Sequence, residues 1–195
     1  RFADLWRERY QPSMTPIREG RRPYVPLDRL HRENLDAVLA ALPGGEAVSA
    51  AEREALTRAW ERLDPWPDVH LGLARLRARA LVAPCSNGSI ALMARLARHA
   101  GLRWDAILGA DLARTYKPRP EVYRAACDAL GLAPGEVMMV AAHEDDLAAA
   151  AACGLRTAFI PRPLEHGPEH PPAPERGGWD TRAPNLVALA DAFGW

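Results

Sequence analysis

Cysteine is scarce in this sequence: three among 195 residues, Cys85, Cys127 and Cys153. None is spaced as CxxC and no histidine set accompanies them, which argues against a zinc site or a disulfide framework and fits a reducing cytoplasm. Net charge is also missing, since 25 lysines plus arginines balance 25 aspartates plus glutamates. No single-signed field advertises a nucleic acid or a membrane surface, so any charged ligand must be met locally. No run approaches the roughly 20 apolar residues of a membrane span. The opening Arg1-Phe2-Ala3-Asp4-Leu5-Trp6-Arg7 has no signal-peptide core and no initiating methionine, and it reads as mid-helix, so the chain is expected to be a fragment or trimmed. The length suffices for one sizeable core, or for a core and a smaller lobe.

The first third of the chain carries helical periodicity and no strand pattern. Phe2, Leu5, Trp6 and Tyr10 recur at helical spacing, and Pro12 and Pro16 are expected to interrupt them. A second helix is predicted over 27–42, ended by Pro43-Gly44-Gly45, and Ser49 with Glu52 has the spacing of a capping box. Asp64-Pro65-Trp66-Pro67 marks a boundary. Beyond it, helices alternate with short apolar runs at 81–83, 107–109, 137–141 and 157–160, the pattern of an α/β fold with a parallel sheet covered by helices. The run Val137-Met138-Met139-Val140-Ala141 reads as a central strand buried on both faces. Residues 161–184 read as a long surface loop and 185–193 as a closing helix.

Ligands of open parallel sheets sit outside the carboxyl ends of the strands. Just past the first run stand Ser86 and Asn87. Past the second come Asp111 and then Tyr116-Lys117-Pro118, and past the third come His143, Glu144, Asp145 and Asp146. Taken singly each has an ordinary role: turn former, solvated loop lysine, acidic first turn of a helix. At one end of consecutive strands they supply a hydroxyl, an amide, an ammonium, an imidazole and carboxylates.

In this order the motifs resemble the haloacid dehalogenase superfamily and, within it, the type II (S)-2-haloacid dehalogenases. The resemblance spans the whole chain, and its carriers are Cys85-Ser86-Asn87-Gly88-Ser89, Ala100-Gly101-Leu102, Tyr116-Lys117-Pro118 with Tyr123, and Val140-Ala141-Ala142-His143 leading to Asp146-Leu147. It implies an all-helical cap over residues 1–64 and a Rossmann-like core over 65–195. It also implies hydrolysis of short (S)-2-haloacids to 2-hydroxy acids through an aspartyl ester, without metal or cofactor. By the same resemblance Lys117 offsets the charge of the nucleophile and of the ester intermediate, and Asp146 partners that lysine and positions the hydrolytic water. Ser86 and Asn87 hold the substrate carboxylate and the leaving-group side, Arg7 faces the halogen, and Tyr123 lies near the lysine loop. A homodimer, common in the family, is not derivable from the residues.

Two departures matter. The family's attacking aspartate lies on a strand ahead of the cap, and no such segment stands in this sequence. If the molecule consists only of these residues, the expectation is no turnover, with an unpaired edge or gap where a strand of about 5 to 6 residues belongs. The second departure is Ala141 and His143, where the dehalogenases tend to have serine and asparagine; His143 is then a candidate base. Magnesium-dependent phosphatases of the superfamily carry a further aspartate where Ala141-Ala142 stands, so one metal carboxylate is missing. Two other functions remain open at this point: a phosphatase of a small phosphate ester, and an inactive member that binds a small acid or a partner.

Overall fold

The computed structural model describes residues 2–165, 167, 169 and 174–195; the expectation for Arg1 lies outside them. Helices α1 (Phe2–Glu8), α2 (Tyr10–Arg18), α3 (Leu27–Ala40) and α4 (Ala50–Thr57) come first. The prolines do not stop the chain from being helical. Pro12 lies in the first turn of α2, where its missing N–H costs nothing, and Pro16 lies inside the helix near its end. Ser49 caps α4 as its spacing predicts: Glu52 N–H donates to Ser49 Oγ, and Ser49 N–H donates to the Glu52 carboxylate at 2.8 Å.

The remainder alternates: α5 (Val69–Arg77), β1 (Cys85–Ser86), α6 (Ile90–His99), β2 (Leu108–Gly109), α7 (Ala110–Ala113), α8 (Pro120–Leu130), β3 (Met138–Ala141), α9 (Glu144–Ala152), β4 (Arg156–Phe159), β5 (Thr181–Arg182) and α10 (Leu186–Ala192). Among the described residues every strand pairing is parallel, in two groups ordered β1-β2 and β3-β4-β5. The α/β class expected from the alternation holds.

Three details differ from expectation. The first strand is displaced from 81–83 to Cys85–Ser86; before it, the Val82 and Pro84 carbonyls accept from the Asp105 and Leu108 N–H at 2.9 Å each. β3 is half-buried, not sealed on both faces, because among the described residues no strand is hydrogen-bonded to its other edge. β5, inside the stretch read as loop, pairs with β4; two residues with no apolar run leave no periodicity to detect.

The apolar clusters explain how these pieces hold together. Leu76, Ala158, Ile160 and Leu189 pack with Val82, Met138 and Val140. Tyr123, Cys127, Ala150 and Leu155 pack with Val137 and Met139. Alternate residues of β3 thus serve different clusters, as the two-residue period of a strand requires. Met14, Ile17, Leu27 and Leu30 of α2 and α3 share a third cluster with Ala110 and Tyr116, which joins the helical segment to the strand-bearing part. Among the described residues no helix is long and apolar enough to cross a membrane.

A fourth cluster lies within the helical segment, where Trp6, Leu35, Val38 and Leu39 pack with Trp60. His31 is buried against it, stacked on Trp60 with ring centroids 4.5 Å apart. Neither His31 ring nitrogen nor Trp60 Nε1 has a hydrogen-bond partner among the described residues. Burial pushes the imidazole down to about 4, against an opposing pull from Asp28. His31 is therefore neutral in the fold, whereas the unfolded chain takes up a proton below the ordinary value of 6.5. Stability is expected to fall as pH drops from 6.5 toward 4, by about 2 to 3 kcal/mol between pH 7 and pH 4.5 from this group. Urea unfolding of the chain and of His31→Leu at the two pH values checks it: the variant should lose that much less on acidification.

Candidate active site

Lys117, the only lysine in the chain, lies between α7 and α8, preceding a cis peptide bond to Pro118. Its Nζ donates to Asp146 Oδ2 at 2.5 Å, with 17% and 15% of the two side chains exposed. Asp146 stands in the first turn of α9, where the helix dipole favours a carboxylate. Its second oxygen accepts from the Tyr123 hydroxyl at 2.5 Å. Tyr123 is fully buried on α8, and burial together with the Asp146 carboxylate drives its phenol far above the ordinary range. The tyrosine accordingly stays a proton donor to Asp146. Each other basic side chain except histidine is arginine, so the ammonium here meets a local need for a compact charge on a flexible stem.

The β1–α6 turn supplies the neutral donors. Asn87 Oδ1 accepts the Lys117 backbone N–H at 2.8 Å, which orients the amide so that Nδ2 points the other way, toward the Tyr10 hydroxyl at 3.4 Å. Ser86 Oγ accepts from Gly88 N–H at 2.9 Å, leaving its own proton to donate. Ser89 closes the turn as the N-cap of α6, accepting from Leu92 N–H at 3.0 Å. Gly109 secures the turn from the other side. It lies opposite Ser86 in the β1–β2 register with φ +127°, and a Cβ there would stand 2.0 Å from the Ser86 carbonyl oxygen.

The structure thus brings Ser86, Asn87, Lys117, Tyr123 and Asp146 together. It turns His143 away from them. Arg7 is an exposed residue of α1. His143 precedes α9 with its backbone extended and its ring turned outward, 64% exposed and 3.0 Å from both Glu165 oxygens. Cys85 borders the site, but burial pushes its thiol up to about 11, so it is a poor nucleophile at neutral pH.

Two residues of α2 reach the site without having been singled out from the sequence. Tyr10 meets Asn87, and burial, its largest influence, raises the phenol above its ordinary value. Arg18 Nη1 donates to the Lys117 carbonyl at 3.1 Å. In the sequence Tyr10 is one more apolar-stripe residue and Arg18 one of many arginines, so neither carries a local signal. Among the described residues no group of three or more His, Cys, Asp or Glu side chains could hold a metal ion.

Comparisons with known proteins bear on this geometry. Residues 8–154 match the family described as haloacid dehalogenase-like hydrolase. The chain is 32% identical over 179 residues to (S)-2-haloacid dehalogenase 1 of Pseudomonas sp. (strain CBS-3), a match covering 90% of this chain and 77% of that protein. Its structure is similar to that of a defluorinating L-2-haloacid dehalogenase, with a TM-score of 0.93 and 47% identity over 100% of this chain and 80% of that one. It is also similar to the L-2-haloacid dehalogenase of Xanthobacter autotrophicus with chloropropionic acid covalently bound, with a TM-score of 0.81 and 26% identity over 99% and 85% of the two chains.

The pairing has an energetic consequence. Asp146→Asn strands the Lys117 ammonium in a partly buried place and should destabilise the fold by about 3 kcal/mol. Tyr123→Phe removes a single donor and should cost about 1 kcal/mol. Urea unfolding measures both, and because Lys117 is the only lysine, amine labelling read by mass spectrometry should accelerate at this residue in Asp146→Asn.

Proposed function

The chain belongs to the haloacid dehalogenase-like hydrolases, and from that premise we propose that it acts on short (S)-2-haloacids, replacing the halogen by hydroxyl. The observation that carries the reading is the pairing of Lys117 with an Asp146 whose other oxygen is held by Tyr123, beside a turn that offers the Ser86 hydroxyl and the Asn87 amide. The relatives named (S)-2-haloacid dehalogenase, and the related structure with chloropropionic acid covalently bound, support the same substrate class.

In the proposed reaction a carboxylate attacks C2 from the side opposite the halogen. The C–halogen bond breaks with its electron pair leaving on the halide, and an ester forms. Water then adds to the ester carbonyl, the 2-hydroxy acid departs, and the carboxylate is restored. Asp146, paired with Lys117 and oriented by Tyr123, is suited to hold the attacking water and accept its proton. Lys117 offsets the charge that develops on the tetrahedral ester intermediate. Ser86 and Asn87 donate to the substrate anion.

Asp146 is given the water-holding role and not the attacking one: each of its oxygens accepts one bond, from Lys117 or Tyr123, and keeps a lone pair for the water. No other residue of this chain is assigned it, and the attack is proposed to need a carboxylate beyond those gathered here, on a strand ahead of the helical segment. Residues 1–64 are proposed to form a cap whose Tyr10 and Arg18 close on the core at 65–195. His143, turned to Glu165, is proposed to act at most through the local field and not as the base.

Chloride release from (S)-2-chloropropionate tests this. The 195-residue chain should release none, and a version extended at its N-terminus by a strand ending in aspartate should release it without added metal. Turnover by the 195-residue chain itself would overturn the assignment of the attacking group. Magnesium-stimulated phosphate release from a small phosphate ester, without dehalogenation, would replace the whole reading with that of a phosphatase.

A further inference from the structure

Asp111 stands just past β2, in α7, at the sheet edge where the site residues gather, yet its carboxylate is turned to protein groups. Its Oδ1 accepts from the Tyr24 hydroxyl at 2.5 Å and its Oδ2 from the Ile90 N–H at 2.7 Å. Tyr24 lies in the link between α2 and α3, and Ile90 opens α6, directly after the turn that carries Ser86 and Asn87. One carboxylate, with an acceptor to spare for each side, thus ties the helical segment to that turn.

Tyr24 is held by more than Asp111. Its ring lies 5.3 Å from the Tyr116 ring, tilted by 45°, and the Arg114 guanidinium lies over it at 4.6 Å. Among the described residues Arg114 is the one non-glycine in the left-handed region, with φ +55°. Side chains other than glycine adopt that conformation rarely, and it persists where the surroundings hold it. Tyr116, next to Lys117, is fully buried, and its hydroxyl donates to the Val25 carbonyl at 2.6 Å. The stretch from Asp111 to Tyr116, which leads from β2 to Lys117, is therefore clipped at both ends to two consecutive residues, Tyr24 and Val25. Arg114 is laid over the Tyr24 ring between the clips. Burial, together with the Asp111 carboxylate, drives the Tyr24 phenol far above its ordinary range, so the hydroxyl remains a donor.

Fastening alone does not require this arrangement, because the apolar cluster of Met14, Ile17, Leu27, Leu30 and Tyr116 already joins the helical segment to the rest. The clips converge on the loop that delivers the site lysine. Both backbone polar groups of Lys117 are met from outside that loop, by Asn87 of the β1–α6 turn and by Arg18 of α2. Asp111 binds the residues that follow those same two segments, Ile90 after the turn and Tyr24 after α2.

We propose that Tyr24 is a positioning residue: seated in a socket formed by Asp111, Arg114 and Tyr116, it sets Lys117 relative to the Ser86–Asn87 turn. It acts through the lysine loop and not on the substrate. That Lys117 is positioned for ester hydrolysis rests on the 2-haloacid reading, whereas the socket itself does not.

Lys117 is the only lysine, so acetylation by an N-hydroxysuccinimide ester, located by mass spectrometry, reports its exposure directly. In the 195-residue chain Tyr24→Leu should speed acetylation of Lys117 by at least about tenfold, at a rate that stays flat as urea is raised below the unfolding transition, the mark of a local opening. Tyr24→Phe keeps the ring and should return the rate to within about threefold of the unsubstituted chain, and Asp111→Asn, which turns one acceptor into a donor, should lie between the two. In an N-terminally extended version that releases chloride from (S)-2-chloropropionate, Tyr24→Leu should lower kcat about tenfold and leave KM within about twofold. An unchanged labelling rate, a rate in Tyr24→Leu that climbs with urea in step with global unfolding, or an undiminished kcat would overturn the proposal. Should Tyr24→Leu not fold, Asp111→Asn carries the test, and Lys117 labelling at the unsubstituted rate in that variant would overturn it. Absence of chloride release by the unsubstituted extended version would refute the 2-haloacid reading instead, and the labelling would still decide whether Tyr24 sets Lys117.

Discussion

The contact between Lys117 and Asp146 is the constraint on which the site depends. Two charges largely withdrawn from water are stable together and costly apart, so whatever positions one must position the other. Asp146 is placed by the start of α9, directly beyond β3, and Lys117 by a loop that ends in Pro118 and leads into α8. Tyr123, fully buried one turn into α8, takes the remaining Asp146 oxygen. Helix, loop and strand are thereby joined through one carboxylate.

The same loop is gripped from two other directions. Asn87 accepts the Lys117 N–H from the β1–α6 turn, and Arg18 donates to the Lys117 carbonyl from α2. Both backbone polar groups of the site lysine are thus occupied, one by the sheet side and one by the helical side. That matters for a reaction in which charge must be met without reorganisation, since a preorganised donor contributes more than one that must first be ordered. The helical segment is fastened to the rest by more than these two bonds. Tyr24 donates to Asp111 at 2.5 Å, Asp111 in turn accepts the Ile90 N–H, and Tyr116 donates to the Val25 carbonyl at 2.6 Å. With the shared apolar cluster of Met14, Leu27, Leu30 and Tyr116, these contacts make the junction part of the core.

Much of the local structure was legible in the residues because its causes are local. Pro120 opens α8 and Gly131 ends it in the left-handed region, Ser49 and Glu52 form their box, and the apolar run before His143 is a strand. Expectations erred where a remote contact overrides a local rule. The helix runs through Pro12 and Pro16, because Met14 and Ile17 between and beyond them are buried against α3 and Tyr116. β3 is apolar enough for the middle of a sheet, yet one of its edges pairs with no described strand.

The sequence by itself determined the kinds of element, their order, the α/β class and a set of polar residues at the strand ends, since periodicity, capping and turn chemistry act within a few residues. Only the tertiary structure decided which of those residues meet. Lys117 and Asp146 are 29 positions apart, Asn87 and Tyr10 77, and Arg18 and Lys117 99. No local signal spans such distances. His143 and Asp146, three positions apart, turn different ways for the same reason: one side chain finds Glu165 at the surface and the other finds Lys117 inside. Arg7 and Arg18 are equally arginine in the sequence. The packing of Met14 and Ile17 carries Arg18 to the lysine loop.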